Sequence, residues 1–114
     1  MADTITIAPA GGTWVIRAGG AVIGESTHAL ELQEPGLAPV IYFPREDVEL
    51  AFLDTSDRAT HCPHKGDASY FSIVAKSGVI ENAVWSYENP NDEVSRIKDY
   101  LAFYTSDRVA VERL

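Results

Sequence analysis

Hydrophobic and polar residues along this chain alternate mostly with a period of two, the signature of strands with one buried face. Thr13–Ala18 reads as a strand, Gly19-Gly20 as a two-residue hairpin turn and Ala21–Glu25 as the returning strand. His28–Glu34 alternates, with Leu30 and Leu32 on one face and Glu31 and Gln33 on the other, until Pro35-Gly36 stops it. Val40–Phe43 predicts a short apolar strand ended by Pro44, which lacks a ladder donor. Arg58–His61 and Ser69–Ala75 predict two strands around the turn Pro63–Asp67. After a turn at Ser77-Gly78, Val79–Tyr87 reads as a long strand, and Leu101–Tyr104 and Val109–Glu112 close the series.

Two segments break the period. In Arg45–Leu53, Val48 and Phe52 lie four apart behind Glu46 and Asp47, acids that suit a helix start. Asn89–Asp99 opens with Asn-Pro-Asn-Asp-Glu, which supplies capping and first-turn residues. The expected fold is therefore mainly β (α+β): coiled antiparallel sheets of about eight or nine short strands with two short helices. Without long crossover helices, a doubly wound parallel sheet is excluded.

Composition narrows the class. At 114 residues the chain is one domain, and 46% apolar residues suffice for a core that a disordered chain lacks. Nine basic against seventeen acidic residues give a net charge of −8. That acidic balance disfavours nucleic acid and anionic membrane surfaces as partners, since both recruit clustered Lys and Arg. No apolar stretch is long enough to span a bilayer. Met1–Ile7 has neither the basic nor the apolar region of a signal peptide, and the lone Cys62 forms no internal disulfide. A cytoplasmic protein is expected; oligomeric state is not legible.

Reactive side chains concentrate in Thr60–Asp67, where His61, Cys62, His64, Lys65 and Asp67 surround a proline-glycine turn. Cys and His are zinc ligands, but no second Cys completes a paired spacing, so no cofactor is expected. Cys62 is a candidate nucleophile, with His64 across the turn better placed as its base than His61, whose side chain points to the other strand face. The plainer reading makes Cys62 a small buried hydrophobe at a strand end.

Aromatics gather nearby. Ala83, Trp85 and Tyr87 share one strand face, and Tyr70 shares a face with Ser72, so pairing of the two strands would bring Trp85 or Tyr87 to Tyr70. Such a wall serves as core or, through its hydroxyls and indole N–H, as a ligand cage. Glu34 continues the face of Leu30 and Leu32, and an inward carboxylate calls for a cation, Arg17 or Lys65. No P-loop, dinucleotide fingerprint, G-x-S-x-G elbow or H-E-x-x-H motif occurs.

Tyr42-Phe43-Pro44 with Asp47-Val48, then Cys62-Pro63, Lys65-Gly66, Tyr70, Ala83-Val84-Trp85, Tyr87, Pro90 and Ala102-Phe103-Tyr104 form an ordered set. This set resembles the family known as domain of unknown function 427, sometimes labelled nucleotidyltransferase-like, over about Trp14 to Glu112. The resemblance implies antiparallel sheets of the β-tent or Mss4-like type. Relatives of that architecture bind zinc through two C-x-x-C pairs, which this chain lacks, and others use sheet aromatics as a small-ligand cage. Nucleotidyl transfer needs metal-holding carboxylates and cationic clamps; here no closely spaced Asp pair sits at a strand end, and Lys65 is the motif's only cation.

The expectation is a cleft for a small polar or anionic molecule, floored by Tyr70, Trp85 and Tyr87, edged by Arg17, Glu34 and Lys65, with Cys62 nearby. The alternatives are an enzyme using Cys62 as nucleophile or Lys65 as acid–base or Schiff-base group, and an interaction module that pairs through exposed strand edges.

Overall fold

A computed structural model describes residues 4–114. Met1, Ala2 and Asp3, which begin the segment expected not to be a signal peptide, lie outside the described residues. Ten strands form three antiparallel sheets: β1 (Thr6–Pro9), β2 (Trp14–Ala18), β3 (Ala21–Ser26), β4 (Leu30–Gln33), β5 (Val40–Tyr42), β6 (Leu53–Cys62), β7 (Gly66–Ala75), β8 (Gly78–Ser86), β9 (Ala102–Phe103) and β10 (Val109–Arg113). Their orders are β1-β4-β5, β10-β2-β3 and β6-β7-β8-β9. No helix is long and apolar enough to cross a membrane among the described residues.

The mainly β architecture is the expected one, and so is the β2–β3 hairpin. Gly19 and Gly20 both adopt positive φ, 56° and 85°, the twist that matches a two-residue turn to its strands. The two expected helices are not formed. Arg45–Asp47 and Leu50–Phe52 are three-residue 3-10 turns, and Asp92–Ile97 is a short 3-10 segment broken at Val94. Backbone N–H groups there reach back three residues, Val48 to the Arg45 carbonyl and Lys98 to the Ser95 carbonyl, both at 3.2 Å, so each segment closes tight turns instead of an α-helix.

β7 begins at Gly66, three residues before the expected Ser69, and two other strands differ more. β1 pairs with β4 in register Thr6 to Gln33 and supplies Ile7 to the core beside it. β6 begins at Leu53, five residues before the expected Arg58, and its register against β7 shifts between Thr55 and Ala59. β6 is an edge strand, and its exposed Asp54 and Asp57 together with this bulge discourage further strand pairing.

The four-stranded sheet separates two cores. Phe71 and Ile73 on β7, Val84 on β8 and Phe103 on β9 belong to the first, with Ile16, Ile23 and Val109 from the β10-β2-β3 sheet. Tyr70, Trp85 and Ala102 from the same central strands belong to the second, with Leu30, Leu32 and Tyr42 from the β1-β4-β5 sheet. Period-two alternation on β7 and β9 thus feeds both sides at once, while on β8 Ala83 joins Val84 in the first core instead of the expected face of Trp85 and Tyr87, next to Asn82 at a positive φ of 54°. Phe43 joins the sheets: its backbone exchanges hydrogen bonds with Leu101 at 2.8 and 2.9 Å, and its fully buried ring meets Phe103 edge-on.

Candidate functional site

Leu32, Val40, Tyr42, Tyr70, Trp85 and Tyr87, all part of the second core, also line a cavity of about 180 Å³. Glu34, Lys65 and Tyr104 line it too. Register explains the convergence. Tyr70 on β7 lies directly opposite Trp85 on β8, so the two side chains rise from the same face. Trp85 in turn lies opposite Ala102, which puts Tyr104, two residues on, beside the indole: their ring centroids are 4.4 Å apart.

The ion pair comes from two turns. Glu34 ends the buried face of Leu30 and Leu32 and opens the turn Glu34-Pro35-Gly36-Leu37, closed by the Leu37 N–H on the Glu34 carbonyl at 3.0 Å. Proline followed by a glycine at φ 80° suits a type II turn. Lys65 ends the turn that starts at Cys62, whose carbonyl accepts from the Lys65 N–H at 3.2 Å. Asn91 pins that turn, donating its backbone N–H to the Lys65 carbonyl at 2.9 Å and its side-chain amide to the Pro63 carbonyl at 3.1 Å. Gly66 follows at φ 112°, a conformation that a side chain would strain.

Between these turns the Lys65 Nζ donates to Glu34 Oε1 at 2.7 Å, with only 12% and 19% of the two side chains exposed. Burial works against the Lys65 charge, but the Glu34 hydrogen bond, the neighbouring Cys62 and the Glu34 charge outweigh it, so the ammonium pKa is raised. Tyr42 is 1% exposed and accepts the Trp85 indole N–H at 3.2 Å. Burial raises the pKa of Tyr42, and burial followed by the charges of Cys62 and Tyr70 raises that of Tyr87.

Tyr70 differs from its neighbours. Burial alone would raise its pKa, yet hydrogen bonds from Thr60, Tyr104 and Arg58 and the Arg58 charge bring it below the ordinary tyrosine value. The Thr60 and Tyr70 hydroxyls are 2.9 Å apart, and the Arg58 guanidinium lies 5.0 Å from the Tyr70 ring centre. Tyr104 is pushed up to about 12 by burial and by its bond to Tyr70. Raising the pH therefore ionises Tyr70 ahead of Tyr42, Tyr87 and Tyr104. In a Tyr100→Phe background, a spectrophotometric tyrosinate titration should lose its earliest transition in Tyr70→Phe and show that transition moved upward in Arg58→Ala. An unchanged first transition in Tyr70→Phe would contradict the assignment. Because Tyr42, Tyr87 and Tyr104 are raised above about 10, the stability they contribute is intact below that pH and is lost as pH climbs through their folded values.

Of the residues expected at the site, Glu34, Lys65, Tyr70, Trp85 and Tyr87 meet around one cavity. Cys62 is half-buried at the end of β6, close enough to Lys65 and Tyr87 to influence both. Arg17 lies elsewhere: it sits in the β10-β2-β3 sheet, about half exposed, and pairs with Glu112 at 2.8 Å. The arginine beside the cleft is Arg58. It reaches Tyr70 because the β6 bulge resets the strand register, a feature no alternation pattern reveals. Tyr42, Thr60 and Tyr104 also lie outside the expected set; Tyr42 and Tyr104 stand in the Tyr-Phe-Pro and Ala-Phe-Tyr motifs, the one sequence signal that marks them.

The cysteine–histidine turn is open. His61 pairs with Asp67 at 2.7 Å, both side chains mostly exposed, on the strand face opposite Cys62. Among the described residues no three His, Cys, Asp or Glu side chains gather as a metal site.

Fold and site together define a mainly β protein of three antiparallel sheets, with a tyrosine-rich cleft around one lysine–glutamate pair where the β1-β4-β5 sheet faces the four-stranded one. Residues 6–113 match the family model described as domain of unknown function DUF427, and the chain belongs to that family. The match begins at Thr6, so it takes in β1, ahead of Trp14, where the resemblance in the motifs begins. No curated protein matches the chain.

Proposed function

We propose that this is a cytoplasmic single-domain protein of β-tent architecture that binds a small polar molecule in the Glu34–Lys65 cleft. The observation that carries this reading is the ion pair itself. Two opposite charges, each more than four-fifths covered, sit against Tyr42, Tyr70, Tyr87 and Trp85 beside open space. A purely structural pair would be expected to be packed around; here a cavity remains where a ligand can accept from Lys65 and donate to Glu34. At about 180 Å³ the cavity is smaller than the roughly 300–1,000 Å³ of drug-sized sites, which favours a molecule of few heavy atoms.

Binding is preferred over covalent catalysis on the state of Lys65. Schiff-base chemistry needs an amine whose pKa is lowered, whereas Glu34 holds this ammonium charged. A thermal-shift screen of amino acids, sugars, nucleosides, organic acids and simple amides tests the proposal. A true ligand raises Tm in a concentration-dependent way. Its affinity should fall about tenfold or more in Lys65→Met, the loss expected for a hydrogen bond to a charged donor. If no compound shifts Tm, or if hits bind Lys65→Met equally well, the cleft is not the site. Rapid iodoacetamide labelling of Cys62 at neutral pH would instead favour the enzyme reading.

A further inference from the structure

Beside the cleft lies a second, more open groove of about 540 Å³. Its lining is chiefly apolar: Trp14, Ile41, Phe103 and Val111, with Trp85 and Tyr104. The two hollows share Ala38, Val40, Trp85 and Tyr104, so one close, tilted aromatic pair borders both. Polar groups are unevenly divided between them. The cleft holds Lys65, Glu34 and the tyrosine hydroxyls; the groove holds one carboxylate, Glu31, and the hydroxyl of exposed Thr105.

We infer that the two hollows form a single site for an uncharged amphipathic molecule, its polar head at Lys65–Glu34 and its apolar tail along the groove past Trp85 and Tyr104. This rests on the cleft being a ligand site and adds the class of ligand. The head follows from the ion pair: lysine and glutamate already neutralise each other, so they best receive a group that both accepts and donates, such as a hydroxyl. The tail follows from the apolar walls and from the lining that the groove shares with the cleft, Ala38, Val40, Trp85 and Tyr104. Glu31 in the groove disfavours an acidic tail end, where like charges would meet.

Straight-chain alcohols from butanol to decanol are the probes, titrated into the folded protein and read by the indole N–H resonances of Trp85 and Trp14. Affinity should rise about two- to fourfold per added methylene, the upper figure being full burial at ~0.8 kcal/mol per CH₂. Trp85 should respond to every member and Trp14 only to the longer ones, since Trp14 lines the groove but not the cleft. Thr105→Arg, a change at an exposed position, should flatten the length dependence by filling the groove. Lys65→Met should instead weaken all members by a similar factor.

Short members that bind while longer ones gain nothing would overturn this inference and leave the cleft reading standing. Length-dependent binding that is indifferent to Lys65→Met, with small polar compounds silent, would place the site in the groove alone and overturn both. No response from any alcohol would overturn the amphipathic ligand, with the thermal-shift screen still deciding the cleft.

Discussion

Replacing Lys65 by methionine should destabilise the protein by about 2 kcal/mol, roughly 5–10 °C in Tm, besides weakening ligand binding. The cause is what remains: the Glu34 carboxylate, 19% exposed, loses its 2.7 Å partner and stays against the tyrosine wall. Breaking a fully buried pair costs about 3–5 kcal/mol, and residual water contact at both groups lowers that figure here. The double variant Lys65→Met/Glu34→Gln should regain most of the loss, because no charge is left stranded. Equal instability in the single and double variants would mean that packing of the lysine stem, rather than its charge, holds this corner. The pH dependence has a definite sign. Lys65 has its pKa raised in the folded state, so the pair's stabilisation is fully present below about 10.4 and is lost as pH rises through the raised value. Lys65→Met should lack that alkaline component when urea midpoints are compared across pH.

Phe43→Ala should cost more, about 3–5 kcal/mol, a large fraction of the stability of a domain this size. The Phe43 ring is fully buried, meets Phe103 at 6.0 Å between centroids and belongs to the first core, while the neighbouring Tyr42 belongs to the second. Truncation leaves a cavity at the point where the β1-β4-β5 sheet is bridged to the central one through Leu101. Urea unfolding should show the midpoint falling with an unchanged slope. A loss below about 1 kcal/mol would mean that the core collapses around the missing ring and that the junction is held by backbone bonds alone.

Much of this architecture is legible in the chain because period two is strong where one strand face is buried. Leu30 and Leu32 against Glu31 and Gln33 are read directly from alternation, but the pairing of Tyr70 with Trp85 is not: the register that the Ala75–Gly78 turn starts would set Tyr70 against Ala83, and the irregularity between Phe71 and Ile73 moves it to Trp85. β1 is harder to see. Thr6–Pro9 is short and runs into Ala10-Gly11-Gly12, so its local signal is weak, and its pairing with β4 is a tertiary fact. The first half of β6 hides for another reason: Asp54, Ser56 and Asp57 read as loop, yet an edge strand tolerates charges on its open side. The two short helical readings fail because helical spacing over nine or so residues is compatible with isolated 3-10 turns.

The site divides the same way. Glu34 was expected inward and in need of a cation, with Arg17 and Lys65 the two choices; the chain brings Lys65. Strand-face logic gives Arg17 a direction but not a sheet, and β2 lies in the sheet that serves the first core. Arg58 arrives beside Tyr70 through the β6 bulge, and Tyr104 through a two-residue strand, β9, too short to have a period of its own. What alternation cannot supply is the register between strands distant in sequence, and the cleft is built from that register.

The most direct test of the cleft follows the Trp85 indole N–H, which donates to Tyr42 inside it, by ¹H–¹⁵N NMR during titration with the hits of the small-molecule screen. A small polar ligand should shift this resonance saturably, leave the Trp14 indole unmoved, and lose the effect in Lys65→Met. Hits that leave the Trp85 indole where it is, or move it identically with Lys65 absent, would contradict a binding site at the Glu34–Lys65 pair.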